Sequence, residues 1–207
     1  MQYQAVVFDM DGVIFDTERL VIEFWKEVAK KHNIPNIEHT CIQCLGTNRV
    51  RTREIFLENY GADFPFDPYR AEVTELFNTH YKGVPLPTKP GVRELLSYLQ
   101  EQDIKVGLAS STAQHLVRDE IGTAGLLPYF QTLVCGDMVE HSKPAPDIFL
   151  KACEILNADP TKSIAIEDSF NGIRSAHCAG MTPIMVPDQV QPTDEIRTLA
   201  FHVMPSL

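Results

Sequence analysis

Positive charge is what this 207-residue sequence has least of: 18 Lys and Arg stand against 28 Asp and Glu, a formal net charge of −10. The cations are scattered, whereas a nucleic-acid surface needs them clustered to neutralise phosphates, so that partner is disfavoured. Long apolar runs are missing too. None approaches the roughly 18 residues of a membrane span, so no membrane partner is expected. The first apolar stretch begins almost at the amino terminus and leaves no room for a signal peptide, so the expected compartment is cytoplasmic.

Cysteines number only five, an odd count that fits a compartment where thiols stay reduced. Cys41 and Cys44 form a Cys-x-x-Cys, but a structural zinc needs four ligands and no second pair sits at ligand spacing. Cys135, Cys153 and Cys178 lie in apolar surroundings and read as small core residues. Neither a disulfide nor a zinc site is expected. The seven His are scattered, none at a strand end beside an acid, and read as structural or surface residues. There is no internal repeat and no low-complexity segment.

What the chain does have, at 44% hydrophobic residues, is material for a large core, either as one domain or as a core with an insertion. Its organising stretch is Val6-Val7-Phe8-Asp9-Met10-Asp11-Gly12-Val13-Ile14-Phe15-Asp16-Thr17. Residues 5–8 predict a buried strand, which ends in two carboxylates spaced i, i+2 and is broken by Gly12. Asp9 and Asp11 therefore stand at a carboxyl edge, where open α/β sheets bind ligands. A lone Asp-x-Asp equally suits a solvated strand end or a helix cap, and the later stretches decide between these.

Thr17, followed by Glu18, predicts the N-cap of a helix that runs to about His32 on the spacing of Leu20, Phe24, Trp25 and Val28. Further helices are expected over 49–60, stopped by Gly61, and from Pro65 to about Tyr81. Three prolines in 83–90 mark a linker. Beyond it the pattern alternates, with helices at 91–102, 112–121, 146–156, 170–179 and 194–200. Between them, strands are expected at 104–109, 132–135, 163–166, 183–186 and 201–204. Such alternation predicts a parallel sheet with helices on both faces. The expected fold is α/β, a Rossmann-like parallel-sheet core (1–16 and 84–207) with an inserted all-helical cap domain (17–83).

The strand ends carry the chemistry. After the 104–109 strand come Ser110, Ser111 and Thr112, hydroxyls at a helix start, where a phosphate oxygen finds donors. Past the next strand, Lys143 is fixed between turn residues in Ser142-Lys143-Pro144-Ala145-Pro146. The 163–166 strand ends in Glu167 and Asp168. Each feature alone has a plain structural reading as cap, turn or charged helix start. On a parallel sheet, however, four strand ends converge on one edge, and four carboxylates gathered there repel unless a cation neutralises them. Oxygen-only ligands at an open site suit Mg²⁺ paired with a substrate phosphate. The chemistry this assembles is phosphoryl transfer.

Asp9-Met10-Asp11-Gly12-Val13, Ser110, Lys143-Pro144 and Glu167-Asp168 together resemble, in order, the four motifs of the haloacid dehalogenase superfamily. The helical insertion resembles that superfamily's C1-type cap, and residues 8–17 and 143–149 are closest to its beta-phosphoglucomutase-like group. The resemblance implies Asp9 as nucleophile, Asp11 as general acid and base, and Ser110 and Lys143 holding the phosphoryl group. It also implies a Mg²⁺ site from Asp9, Asp11, Asp168 and Glu167, with Arg49 on the cap, Thr17 and Ser111 as further substrate contacts. One departure stands out: beta-phosphoglucomutases carry a His one turn beyond Thr17, and this chain has Val21. The expected activity is therefore a Mg²⁺-dependent phosphatase of a small metabolite, a sugar phosphate in the first instance, acting through an aspartyl-phosphate. A sugar phosphomutase is the second reading and a receiver-like phospho-acceptor the third. A receiver needs neither a cap nor an acid/base residue at Asp11. The expected state is a monomer.

Overall fold

A computed structural model describes residues 3–81 and 83–207. Six strands form one sheet: β1 (Ala5–Phe8), β2 (Lys105–Ser110), β3 (Thr132–Cys135), β4 (Ser163–Glu167), β5 (Thr182–Met185) and β6 (His202–Val203). Their spatial order is β3-β2-β1-β4-β5-β6, and every neighbouring pair is parallel. The chain thus steps outward from β1 to β3, then returns to the other side of β1. In such a sheet the loops leaving β1 and β4 diverge, opening a crevice at their carboxyl ends.

β1 shows why an unbroken apolar run suits this position. Side chains alternate across a strand, so Val6 and Phe8 enter one cluster with Leu96, Leu108 and Ile121, while Ala5 and Val7 enter another with Phe149, Ala152 and Ala165. The first cluster lies under α5 (Val92–Glu101) and α6 (Gln114–Thr123). The second lies under α7 (Asp147–Leu156) and α8 (Phe170–Cys178), and α9 (Asp194–Leu199) covers the β5 side. The expected α/β core is therefore present, and strand and helix bounds fall within a few residues of those read from the sequence.

Between β1 and α5 lie four helices, α1 (Thr17–His32), α2 (Ile37–Gln43), α3 (Arg49–Tyr60) and α4 (Phe66–Tyr81). They enclose their own aromatic core, in which Trp25 sits 4.5 Å from Phe56, with Phe66 and Val73 beside them. Phe77 and Tyr81 pack against this cluster and the sheet cluster alike, and so join cap to core. The two connections run side by side: Asp16 N–H donates to Pro87 O (2.9 Å) and Lys89 N–H to Ile14 O (2.9 Å). No described helix is long and apolar enough to cross a membrane.

Three local expectations need correction. Helix α2 was not expected, because seven residues are too few to display a helical period. Thr17 is the first residue of α1 rather than its cap, and its hydroxyl is spent on a distant carboxylate, that of Asp11. Cys135 and Cys153 are buried core residues, but Cys178, read from the sequence as a third, is exposed at the last residue of α8.

Glu120 on α6 is half-buried, and its carboxylate has no hydrogen-bond or ion-pair partner among the described residues. Burial, and then the charges of Asp11 and Asp119, push its pKa up to about 8 from an ordinary 4.5. The folded chain keeps a proton that the unfolded chain releases between those values, so this group's contribution to stability falls as pH rises through that window. Glu120→Gln is expected to leave the melting temperature nearly unchanged at pH 4 and to raise it by a few degrees at pH 8.5 in thermal scans. An equal shift at both pH values would rule out the charge as the cause.

Candidate active site

The loop after β1 is shaped by close approach. Asp9 extends the ladder one step beyond the strand, donating its N–H to Ile166 O on β4 (2.9 Å). The chain then doubles back, with Ile14 and Phe15 N–H both on Met10 O. Gly12, at φ +80°, passes so near β4 that a Cβ there would lie 2.3 Å from Asp168 Oδ2. Only glycine meets both demands. The turn delivers Asp11, whose Oδ1 accepts from Thr17 Oγ1 (2.6 Å) and Oδ2 from Thr112 Oγ1 (3.0 Å). One hydroxyl comes from the cap helix and the other from the loop after β2, so both bodies fix the orientation of Asp11.

Lys143 is buried at the centre. Its Nζ donates to Asp9 Oδ1 (2.5 Å), Glu167 Oε1 (2.6 Å) and Ala109 O (3.0 Å), using every proton of the ammonium. Burial pulls its pKa down, but the charges of Asp9 and Glu167 outweigh that pull, and the amine is held protonated. The other oxygen of Glu167 accepts from the N–H groups of Asp168 (3.1 Å) and Ser169 (3.0 Å) and from Ser169 Oγ (3.0 Å). Ser169 Oγ in turn caps α8 by accepting Gly172 N–H at 3.0 Å.

Asp168 differs from its neighbour. It is buried, and its Oδ2 has no partner. Burial, and then the charges of Glu167 and Asp9, push its carboxyl well above the usual range. Burial likewise raises Asp9, with Glu167 and Asp11 adding to the rise and Lys143 opposing it. Asp9, Glu167 and Asp168 each offer an oxygen within 4.8 Å of the others. An orphaned buried carboxylate oxygen inside a cluster whose acids outnumber its one lysine suits a hard divalent cation.

Above this floor a cleft of about 1090 Å³ separates the cap from the sheet edge. Asp9, Asp11, Ser111 and Thr112 reach it from below, and Glu18, Val21, Arg49 and Arg70 from the cap. Ser110 is fully buried behind it, its hydroxyl oxygen accepting Thr112 N–H (3.0 Å). Arg49 stands at the rim, largely exposed, on Asp67 Oδ1 (3.0 Å). The structure thus brings Asp9, Lys143, Glu167 and Asp168 together and places Asp11 and Thr17 beside them, while Arg49 stays apart. Sequence reading missed Thr112 as the second anchor of Asp11, though it lies within the hydroxyl cluster noted there. Arg70 and the cleft-facing role of Glu18 carried no sequence signal, because the face each presents depends on cap packing.

Residues 6–186 match the haloacid dehalogenase-like hydrolase family model, and the chain belongs to that family. It is 34% identical over 181 residues to the phosphorylated carbohydrates phosphatase of Thermotoga maritima, covering 87% of this chain and 83% of that one. It is also 34% identical to the beta-phosphoglucomutase of Bacillus subtilis, covering 88% and 83%. The crystal structure of a beta-phosphoglucomutase from Clostridium difficile superposes with a TM-score of 0.79 at 25% identity, covering 99% and 92%. Family and relatives together make the chain a phosphoric monoester hydrolase by class.

Gly172 tests the packing of Glu167. Alanine inside a helix ordinarily stabilises it by about 1 kcal/mol over glycine. Here a Cβ would fall 1.8 Å from Glu167 Cδ. Gly172→Ala is therefore expected to destabilise the protein by about 1–3 kcal/mol in denaturant titration, the usual range for overpacking. A stabilised variant would mean that the Glu167 carboxylate moves aside freely.

Proposed function

We propose that the protein hydrolyses a small phosphorylated metabolite, in the first instance a sugar phosphate, through a phosphoryl group held transiently on Asp9. The observation that carries this reading is Asp11, oriented by two hydroxyls at the cleft floor, near the Asp9 carboxylate that a buried ammonium holds. The names of the phosphatase relatives support the substrate class. The proposed division of labour assigns chemistry to residues 1–16 and 84–207 and selection to 17–83.

Asp9 Oδ1 is engaged by Lys143, so Oδ2 is the nucleophile. It attacks phosphorus as the bond to the sugar oxygen breaks, and Asp11 gives its proton to the departing alkoxide. Water then enters. Asp11 takes its proton, oxygen bonds to phosphorus, and the Asp9–phosphorus bond breaks to release inorganic phosphate. The Ser111–Thr112 loop holds the phosphoryl oxygens, with Ser110 bracing that loop from behind, while Lys143 supplies positive charge beside Asp9. Asp9, Asp168 and the Asp11 carbonyl would hold Mg²⁺, with Glu167 positioning the ion or its waters, and the ion would supply charge neutralisation. Glu167 stands beside them and holds Lys143 in register.

A sugar phosphomutase is the second reading, favoured by the beta-phosphoglucomutase relatives. Against it, Val21 lines the cleft where that group's His is expected, and an alkyl side chain transfers no proton.

Asp9→Asn should lower turnover on the order of 10⁴-fold or more, as removal of a nucleophile does. Asp11→Asn should discriminate between leaving groups. General-acid help is worth roughly 10²–10⁴-fold for a poor leaving group and little for a phenolate. Alkyl phosphates should therefore fail with this variant, while an aryl phosphate still loads Asp9 and the adduct accumulates, visible by intact mass. Equal losses on both, with no adduct, would remove Asp11 from the proton path.

Removing the charge of Asp168 gives a separate test. In chelator, Asp168→Asn should melt higher than the parent, because one buried repulsive charge is gone. Added Mg²⁺ should raise the melting temperature of the parent and leave the variant unmoved. A parent indifferent to Mg²⁺ would remove the ion from the site.

A further inference from the structure

Two buried side-chain oxygens among the described residues have no hydrogen-bond partner, Asp168 Oδ2 and Asp188 Oδ2. The first belongs to the acidic cluster at the cleft floor. The second lies outside the cleft, on the loop after β5. That loop runs against β4, for Val186 N–H donates to Glu167 O (2.7 Å), and Asp188 follows two residues on. Asp188 is thereby brought near enough to the cluster that its charge adds to the rise at Asp168. It stands outside the set Asp9, Glu167 and Asp168, whose oxygens lie within 4.8 Å of one another.

The side chain of Asp188 is only 6% exposed, and its Oδ1 accepts from Lys89 Nζ (2.5 Å). Lys89 is a shared partner, since it also reaches Asp16 Oδ1 (3.4 Å). Its own N–H is on Ile14 O, so this ammonium sits where the two cap connections run side by side. One oxygen of Asp188 is therefore committed to the joint between cap and core, and the other is uncommitted. A buried carboxylate oxygen without a donor is costly, and more so near a second carboxylate in the same condition. Both deficits have one remedy. A hard cation at Asp168 satisfies that residue directly, and Mg²⁺ keeps several waters whose hydrogens serve acceptors further out. Acceptors so placed fix the ion's surroundings and govern much of its affinity.

On the Mg²⁺ reading above, we propose that Asp188 is a positioning residue for the ion, accepting on its free oxygen a hydrogen bond from a water that the ion carries. Its other oxygen ties that water, through Lys89, to the joint between core and cap. The loop after β5 thus serves the ion site without touching the substrate cleft.

Mg²⁺ titration by calorimetry, with no substrate present, tests this apart from turnover. Asp188→Asn should raise the dissociation constant for Mg²⁺ about 10–100-fold, the usual cost of losing such an acceptor. In chelator it should melt close to the parent, because an amide oxygen still accepts from Lys89 and a buried repulsion is gone. Lys89→Gln should behave in the opposite way. It should melt lower in chelator, because two carboxylates lose their cation, yet bind Mg²⁺ at least as tightly as the parent, because Asp188 keeps its charge. The double variant, which leaves no charge unpaired between these two positions, should bind Mg²⁺ as weakly as Asp188→Asn. Equal affinity in the parent and Asp188→Asn overturns the assignment, as an ordinary buried water would then serve that oxygen. Equal losses of affinity in both single variants also overturn it, leaving Asp188 as a partner of Lys89 alone. Failure of the Mg²⁺ reading itself looks different and takes the inference with it: the parent would bind no Mg²⁺ at all.

Discussion

One buried ammonium holds the site in register. Lys143 comes from the loop after β3, yet it bonds to the residue that follows β1, to a carbonyl of β2 and to the last residue of β4. Four neighbouring strands are thereby tied at their carboxyl ends by a single charge. Burying that charge is costly unless every proton is satisfied, and here all are. The converse also holds: Asp9 and Glu167 are buried carboxylates that tolerate their position because Lys143 lies between them. Charge, position and burial are interdependent, so Asp9 cannot be separated from the fold that presents it.

The cap is a second body with its own core, and its attachment is narrow. Two antiparallel connections pass it to the sheet, joined to one another through Asp16, Pro87, Ile14 and Lys89. Lys89 also reaches Asp188 Oδ1 (2.5 Å) and Asp16 Oδ1 (3.4 Å), which anchors the connection to the loop after β5. Separate cores allow the sheet edge and the cap helices to vary independently. The acids and lysine belong to the sheet edge, whereas Val21, Arg49 and Arg70 belong to cap helices. Asp11 is held from both sides, through Thr17 of the cap and Thr112 of the core.

Much of this was legible because strand ends leave a plain mark. An apolar run that stops at a charged residue gives both the element and its functional edge, as Ala5–Phe8 before Asp9 and Ser163–Glu167 before Asp168 show. Parallel topology then brings residues far apart in sequence together without any knowledge of side-chain direction. What lay beyond reach depends on direction. Arg70 is one of several arginines on exposed-looking cap helices, and its face follows from how α4 packs on α1. Helix α2 was too short to show a period. Thr17 has the right residue type for a cap, but a carboxylate brought near by the turn at Gly12 competes for the same hydroxyl and wins, since a charged acceptor is the stronger partner.

Glu167 and Asp168 show how far adjacency in sequence can mislead. As two acids in a row they look interchangeable, yet neighbouring residues at a strand end point to opposite sides. Glu167, the longer, reaches inward to Lys143 and spends its remaining oxygen on three donors at the start of α8. It still offers an oxygen within 4.8 Å of those of Asp9 and Asp168, beside its bond to Lys143. Asp168, the shorter, is packed against the glycine turn with one oxygen unclaimed. A carboxylate so placed raises the energy of the empty site and lowers it again when positive charge arrives.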